Sequence, residues 1–228
     1  MFTVKRGALA VAAAIIVFSS AAGLACGAAA ANTAYSPVVV VIDAGHGGID
    51  AGVRGKNSGV KESDINLAVA RELAGCFKAA GFSAVMTRKS QAGLYGLPTK
   101  GFKLRDMKRR REIIEECGAD MVISVHQNFY SDSARRGAQV FFRKGSEGGK
   151  QLAVSVQNSL NGMEGMRSAD PLVGDYFMLE CTQSPSVIVE CGFLSNAQDE
   201  ELLLDGDYRH QLAYAIFCGA VEYLSSGG

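Results

Sequence analysis

From Pro37 onward the chain alternates two kinds of apolar pattern. The run VVVVID, ending at Asp43, is short, β-branched and apolar at every position, which predicts a strand buried on both faces. In ESDINLAVARELAGCFKAAGF the residues Ile65, Val69, Leu73 and Phe77 recur at steps of four, and Gly81 is placed to stop a helix. SAVMT then predicts a strand, the region around DMKRRREIIEECGAD a helix ended by Gly118, and MVISVH and AQVFF two further strands. GGKQLAVSVQNSL predicts a helix, SVIVE a strand and YRHQLAYAIFCGAVEYL a closing helix. The stretch from Asn128 to Pro185 is thereby filled by one strand, one helix and a loop through GMRSADPLVGDY. This order predicts an α/β fold: a single-domain sandwich with a largely parallel or mixed central sheet flanked by helices, over residues 35–228.

Three of these strands end in groups with chemistry. His46 lies just beyond VVVVID, His126 closes MVISVH, and Glu190 closes SVIVE. In open α/β sheets, ligands gather outside the carboxyl ends of the strands, so one sheet edge could present all three. Gly45, Gly47 and Gly48 around His46 allow a tight turn that projects the ring. Glu62 falls at the start of the first helix, where the helix dipole alone would favour a carboxylate. It could equally complete a metal site with two histidines, since two imidazoles, a carboxylate and an open position form a common catalytic zinc set. A single histidine at a strand end is more often structural; the weight lies in the combination. His210, in the closing helix, keeps a surface or packing role.

Residues 1–34 differ in kind. Lys5 and Arg6 precede GALAVAAAIIVF, and no other charge occurs before Asp43, as expected of an export signal or an uncleaved N-terminal anchor. A lipoprotein reading of Cys26 is weakened by Gly23, where a large aliphatic residue is usual. The whole chain carries 23 basic and 23 acidic side chains, so net charge offers no pull toward nucleic acid or an anionic membrane. Contact with a membrane would run through the N-terminal segment alone. Beyond Cys26 the cysteines are Cys76, Cys117, Cys181, Cys191 and Cys218, an odd set without CxxC spacing, which implies neither a disulfide framework nor a thiolate metal site.

VIDAGHGGIDAG, KESDINLAVA, VMTRK, GADMVISVHQN, GAQVFF and PSVIVECGFLSN occur in an order and spacing that resemble the zinc-dependent N-acetylmuramoyl-L-alanine amidases, from about Val38 to Leu224. The resemblance implies one Zn2+ per chain held by His46, Glu62 and His126, with Glu190 as the catalytic carboxylate. It implies hydrolysis of the amide between N-acetylmuramic acid and the L-alanine of the peptidoglycan stem, so the partners expected are glycan and stem peptide. Arg88 and Arg110 match family arginines and are assigned to structure or substrate-side support, and Asn128 either orients a ligand or substrate or holds a turn. Ser63 stands where the family often has lysine after the ligand glutamate, and Glu115 where it often has asparagine.

The basic stretch TKGFKLRDMKRRREII is similar to a segment of sporulation amidases that prepare spore cortex for muramic-δ-lactam formation. Its plainer reading is a helix with a charged outer face. The resemblance implies export across the bacterial cytoplasmic membrane to the cell wall or spore intermembrane space, secreted or N-terminally anchored. An activating or metal-loading partner protein is left open. The alternatives are a zinc peptidase or deacylase acting on another amide, and a non-catalytic or partner-dependent wall-binding protein of the same fold.

Overall fold

The computed structural model describes residues 37–227; the export segment expected over residues 1–34 lies outside the described residues. The elements run β1 (Val39–Ala44), α1 (Glu62–Ala79), β2 (Ser83–Met86), α2 (Phe102–Glu116), β3 (Met121–Asn128), β4 (Gln139–Phe142), α3 (Glu147–Asn161), β5 (Leu172–Val173), α4 (Phe177–Glu180), β6 (Ser186–Phe193), α5 (Ala197–Leu204) and α6 (Gly206–Ser225). They form one six-stranded sheet of order β2-β1-β3-β6-β4-β5. All strand pairs are parallel except β4 with β6, so the sheet is mixed, as expected.

Side-chain alternation assigns the two faces. Val40, Ile42 and Ala44 of β1, Met121, Ile123 and Val125 of β3, and Val187, Val189 and Cys191 of β6 enter the larger core, packed under α1, α3 and α6. The four-step stripe on α1 supplies Ile65, Val69, Leu73 and Phe77 to this core, all at most 4 % exposed. Each such side chain contributes roughly 1.5–3 kcal/mol when fully buried. The opposite face, with Val41, Val122 and Ile188, meets a smaller core from α2 and α4, including Ile114, Met178 and Leu179. Asp43, Ser124, His126 and Glu190 share the parity of that second face. The period of two therefore places them all on the α2/α4 side.

Every predicted strand and helix is present. α2 starts earlier than its periodicity suggested, β3 continues past His126, and β6 continues past Glu190. Three elements were not anticipated. The two-residue β5 and four-residue α4 are too short to show a period, and both lie within the expected loop. α5 is held at its start by Asn196, whose side chain accepts from the backbone N–H groups of Gln198 and Asp199. The cap in SNAQDEELLL is the signal that could have revealed it.

Candidate metal and catalytic site

β2 lies on one side of β1 and β3 on the other, so the chain reverses its direction of travel through the sheet at the β1/β3 boundary. Crevices at such points gather ligands. His46 follows β1 here, His126 lies on β3, and Glu190 lies directly opposite His126 on β6. Glu62, the first residue of α1, completes the group. One donor atom from each of His46, Glu62 and His126 lies within 4.8 Å of the others.

The arrangement is convergent. Glu62 Oε1 is 3.2 Å from His46 Nε2 and 2.9 Å from His126 Nδ1. These separations approach the edge of a tetrahedron around an ion with ligand bonds near 2.1 Å, about 3.4 Å. Two imidazoles and a carboxylate facing one point therefore fit a divalent metal. Glu62 Oε2 accepts from the Val53 N–H at 2.9 Å, and Asn66 Nδ2 donates to Oε1 at 3.2 Å, so the carboxylate is aimed from both sides. Burial opposes the charge on Glu62, but hydrogen bonds to His126 and His46, reinforced by their charges, hold its carboxyl well below the usual range.

His46 has φ of 59°, the left-handed region that a residue with a Cβ enters at a cost of roughly 1–2 kcal/mol. Its neighbours hold it there. Gly47 N–H donates to the Asp50 carbonyl at 2.8 Å and Asp50 N–H returns to Gly47 at 3.1 Å. The Asp50 carboxylate lies 3.0 Å from His46 Nδ1, which leaves Nε2 free to face Glu62. Two nearby glycines are required by space: a Cβ on Gly45 would overlap the His126 ring, and one on Gly52 would overlap the Glu62 carboxylate.

Two buried arginines fix the backbone under His46. Arg88, 2 % exposed, donates to the carbonyls of Ala44, Gly45, Ser63 and Ser90 at 2.7–3.0 Å. Burial and the adjacent Arg110 charge push its pKa down to about 10. Arg110, 1 % exposed, pairs with Asp43 and Asp106 and donates to the carbonyls of Ala44, at 2.8 Å, and His46, at 2.6 Å. Both guanidiniums face backbone and buried carboxylates rather than the cleft, so their geometry is that of support. Asn128 uses its side chain locally, accepting from the Phe129 N–H at 2.8 Å, while its carbonyl accepts from Leu194. That is a turn-holding geometry at the cleft margin.

Glu190 stands apart from this network. Its Oε2 is buried without a hydrogen-bond partner. Burial raises its pKa to about 7; the Glu62 charge adds to the rise, while His126 and His46 oppose it. A cleft of about 410 Å³ opens over these groups, walled by Tyr176, Phe177 and Met178 at α4 and by Phe129.

The sequence reading did not single out Asp50, Asn66, Asp43 or Asp106. The first two carried a signal, being four residues from His46 and from Glu62. Asp106 also stands four residues from its partner Arg110 within α2, whereas Asp43 meets Arg110 only because α2 packs on β1. The remaining basic residues of α2 mostly form its outer face: Arg109 pairs with Glu112 and Glu116, and Arg111 with Glu115. His210 lies on the surface beside Glu72.

Comparison with known proteins gives the family and the fold. Residues 40–222 match the N-acetylmuramoyl-L-alanine amidase family. The chain is similar to the germination-specific N-acetylmuramoyl-L-alanine amidase of Bacillus subtilis strain 168, 31 % identical over 195 residues, covering 83 % of this chain and 81 % of the relative. Its structure is similar to that of the CwlD amidase of Clostridioides difficile in complex with the GerS lipoprotein, with a TM-score of 0.79 and 34 % identity over 83 % of this chain and 99 % of that one. The catalytic domain of CwlV, an amidase of Bacillus (Paenibacillus) polymyxa var. colistinus, gives a TM-score of 0.73 at 29 % identity, over 82 % and 98 % of the two chains.

Proposed function

We propose that this chain, which belongs to the N-acetylmuramoyl-L-alanine amidase family, carries out its reaction with one zinc ion held by His46, Glu62 and His126 and with Glu190 as the proton-transferring carboxylate. The bond hydrolysed is the amide between the lactyl group of N-acetylmuramic acid and the L-alanine that begins the stem peptide. Zinc in this donor set supplies Lewis acidity toward the amide carbonyl and toward water.

The chain's own residues supply the rest. Asp50 keeps the His46 proton on Nδ1, and Asn66 and the Val53 N–H hold the Glu62 carboxylate in register. Glu190 takes the proton from the attacking water and delivers it to the departing amine. The observation that carries this role is its buried, unpartnered Oε2, set opposite His126. A carboxyl whose pKa lies near 7 can serve on both sides of such a transfer, and a cation alongside would draw that value down. Tyr176, Phe177 and Met178 line the cleft in which the bond is cut.

The germination-specific relative supports a place for this enzyme in spore cortex, outside the cytoplasmic membrane, after export through the N-terminal segment. The lipoprotein bound to the Clostridioides difficile amidase supports an auxiliary protein for this chain as well.

The test is digestion of purified peptidoglycan by the zinc-loaded enzyme, followed by mass spectrometry. Stem peptides with a free L-alanine amino terminus and intact glycan are expected. Glu190→Gln should lower kcat by roughly 10²–10⁴-fold, the usual scale for a lost acid–base group, with zinc still bound. An unchanged kcat would remove Glu190 from the chemistry.

A further inference from the structure

A second cavity lies beside the catalytic cleft. It measures about 570 Å³ and is lined by Arg135, Arg136 and Arg167, with Gln139, Ser168 and Leu172 along its floor and sides. Strand register gives its position. Gln139 on β4 lies directly opposite Glu190 on β6, so their side chains leave the same face of the sheet. Leu172 on β5 lies opposite Phe141 on β4, which lies opposite Ile188 on β6, so it shares that face too. The groove thus begins one strand from Glu190 and extends to the second, roughly 5–10 Å sideways at the usual strand spacing.

Its charge is unbalanced. None of the three arginines forms an ion pair among the described residues. Arg135 lies over the Tyr130 ring, 4.3 Å from its centroid. Arg136 donates to the Gly165 carbonyl at 2.9 Å, a bond that holds the loop before β4 to the loop after α3. Arg167 packs its stem against Gly137. The acid in the lining, Asp132, is turned to its own loop and accepts from the Ala134 N–H at 2.9 Å. Three guanidiniums with donors to spare, around a cavity wide enough for a peptide, make a carboxylate receptor.

We propose that this groove binds the carboxylates of the stem peptide on the leaving side of the cut amide, making Arg135, Arg136 and Arg167 determinants of substrate specificity. The proposal rests on the amidase reading above. Distance supports it: in an extended peptide whose first residue lies at Glu190, the second and third lie roughly 3 and 7 Å on, at about 3.3 Å each, so the third and its terminal carboxylate fall within the groove. The glycan carries no charge at the lactyl group once it is in amide linkage, so the peptide is the acidic half of the substrate.

The test is calorimetric binding of a stem tripeptide beginning with L-alanine, with its carboxylates either free or amidated, to the zinc-loaded full chain. The free acid should bind about tenfold more tightly than the amidated form, because each exposed ion pair adds a factor of about two to five. The double variant Arg135→Gln/Arg167→Gln changes exposed side chains only, and should lose that preference while keeping its thermal stability and its zinc affinity. Arg136→Lys should retain part of the preference. Equal binding of the two peptides by the native chain overturns the proposal, as does a preference the double variant keeps. Weakened binding of poly(glycerol phosphate) with unchanged peptide binding also overturns it, and marks the groove as a site for anionic polymer. Product binding needs no turnover, so a chain that binds the free acid by these rules yet cuts nothing, even with an auxiliary protein added, would leave the groove standing and sink the amidase reading.

Discussion

Replacing Arg110 by methionine tests the claim that a buried ion network, not the cleft itself, holds the histidine turn in place. Arg110 pairs with Asp43, which is fully buried and whose carboxylate also accepts from the hydroxyls of Thr87 and Ser124, both at 2.6 Å. Removing one partner of a buried pair costs about 3–5 kcal/mol, a large share of the roughly 5–15 kcal/mol that holds a domain together. The pH dependence separates this from a simple cavity. Burial opposes the charge on Asp43, but Arg110 and the two hydroxyls outweigh it and bring its pKa down to about 2. Against about 3.9 in an unfolded chain, that is worth roughly 2–3 kcal/mol of stability, complete above about pH 4 and lost as pH falls through 2. In the Arg110→Met chain, burial dominates and raises the carboxyl instead, so the term reverses sign and acidification relieves it. Urea titration of the metal-free proteins should therefore show a gap of several kcal/mol at pH 7 that narrows by about 2 kcal/mol toward pH 3. Adding Asp43→Asn should recover a large part of the loss. A gap under about 1 kcal/mol at neutral pH, the scale of an ordinary surface change, or one that stays constant with pH, would refute the reasoning.

Two further outcomes follow from the same geometry. Asp50→Ala frees His46 to rotate and to exchange tautomers, and should weaken zinc about 10–100-fold, measured by competition with a chromophoric chelator; unaltered affinity would remove Asp50 from the site. Chelation should lower Tm by several degrees, because zinc present at about 100 times its Kd contributes about 2.7 kcal/mol to the folded state. Glu62→Gln should abolish that metal-dependent shift, and a shift that persists would place the ion elsewhere.

The pattern of apolar residues determined more of this protein than its composition did. VVVVID, MVISVH and SVIVE read as strands covered on both faces, so the polar groups at their ends could emerge along one edge of a sheet. His46, His126 and Glu190 were legible for that reason, and Glu62 because a carboxylate at a helix start has two physical uses. The tertiary structure brings it to the rings: α1 is laid across β1 and β3 so that Glu62 Oε1 meets both His46 and His126. It also decided the fate of the arginines. Within one basic run Arg110 is buried against Asp43 while Arg109 and Arg111 remain on the surface, a distinction of helix phase relative to a strand far away in sequence. The groove of Arg135, Arg136 and Arg167 has no local signature either, because two loops separated by a strand and a helix form it together. Periodicity is a property of neighbours along the chain, and it predicts faces; where two faces meet, and which charges meet there, depends on the packing of elements that the chain connects only through long detours.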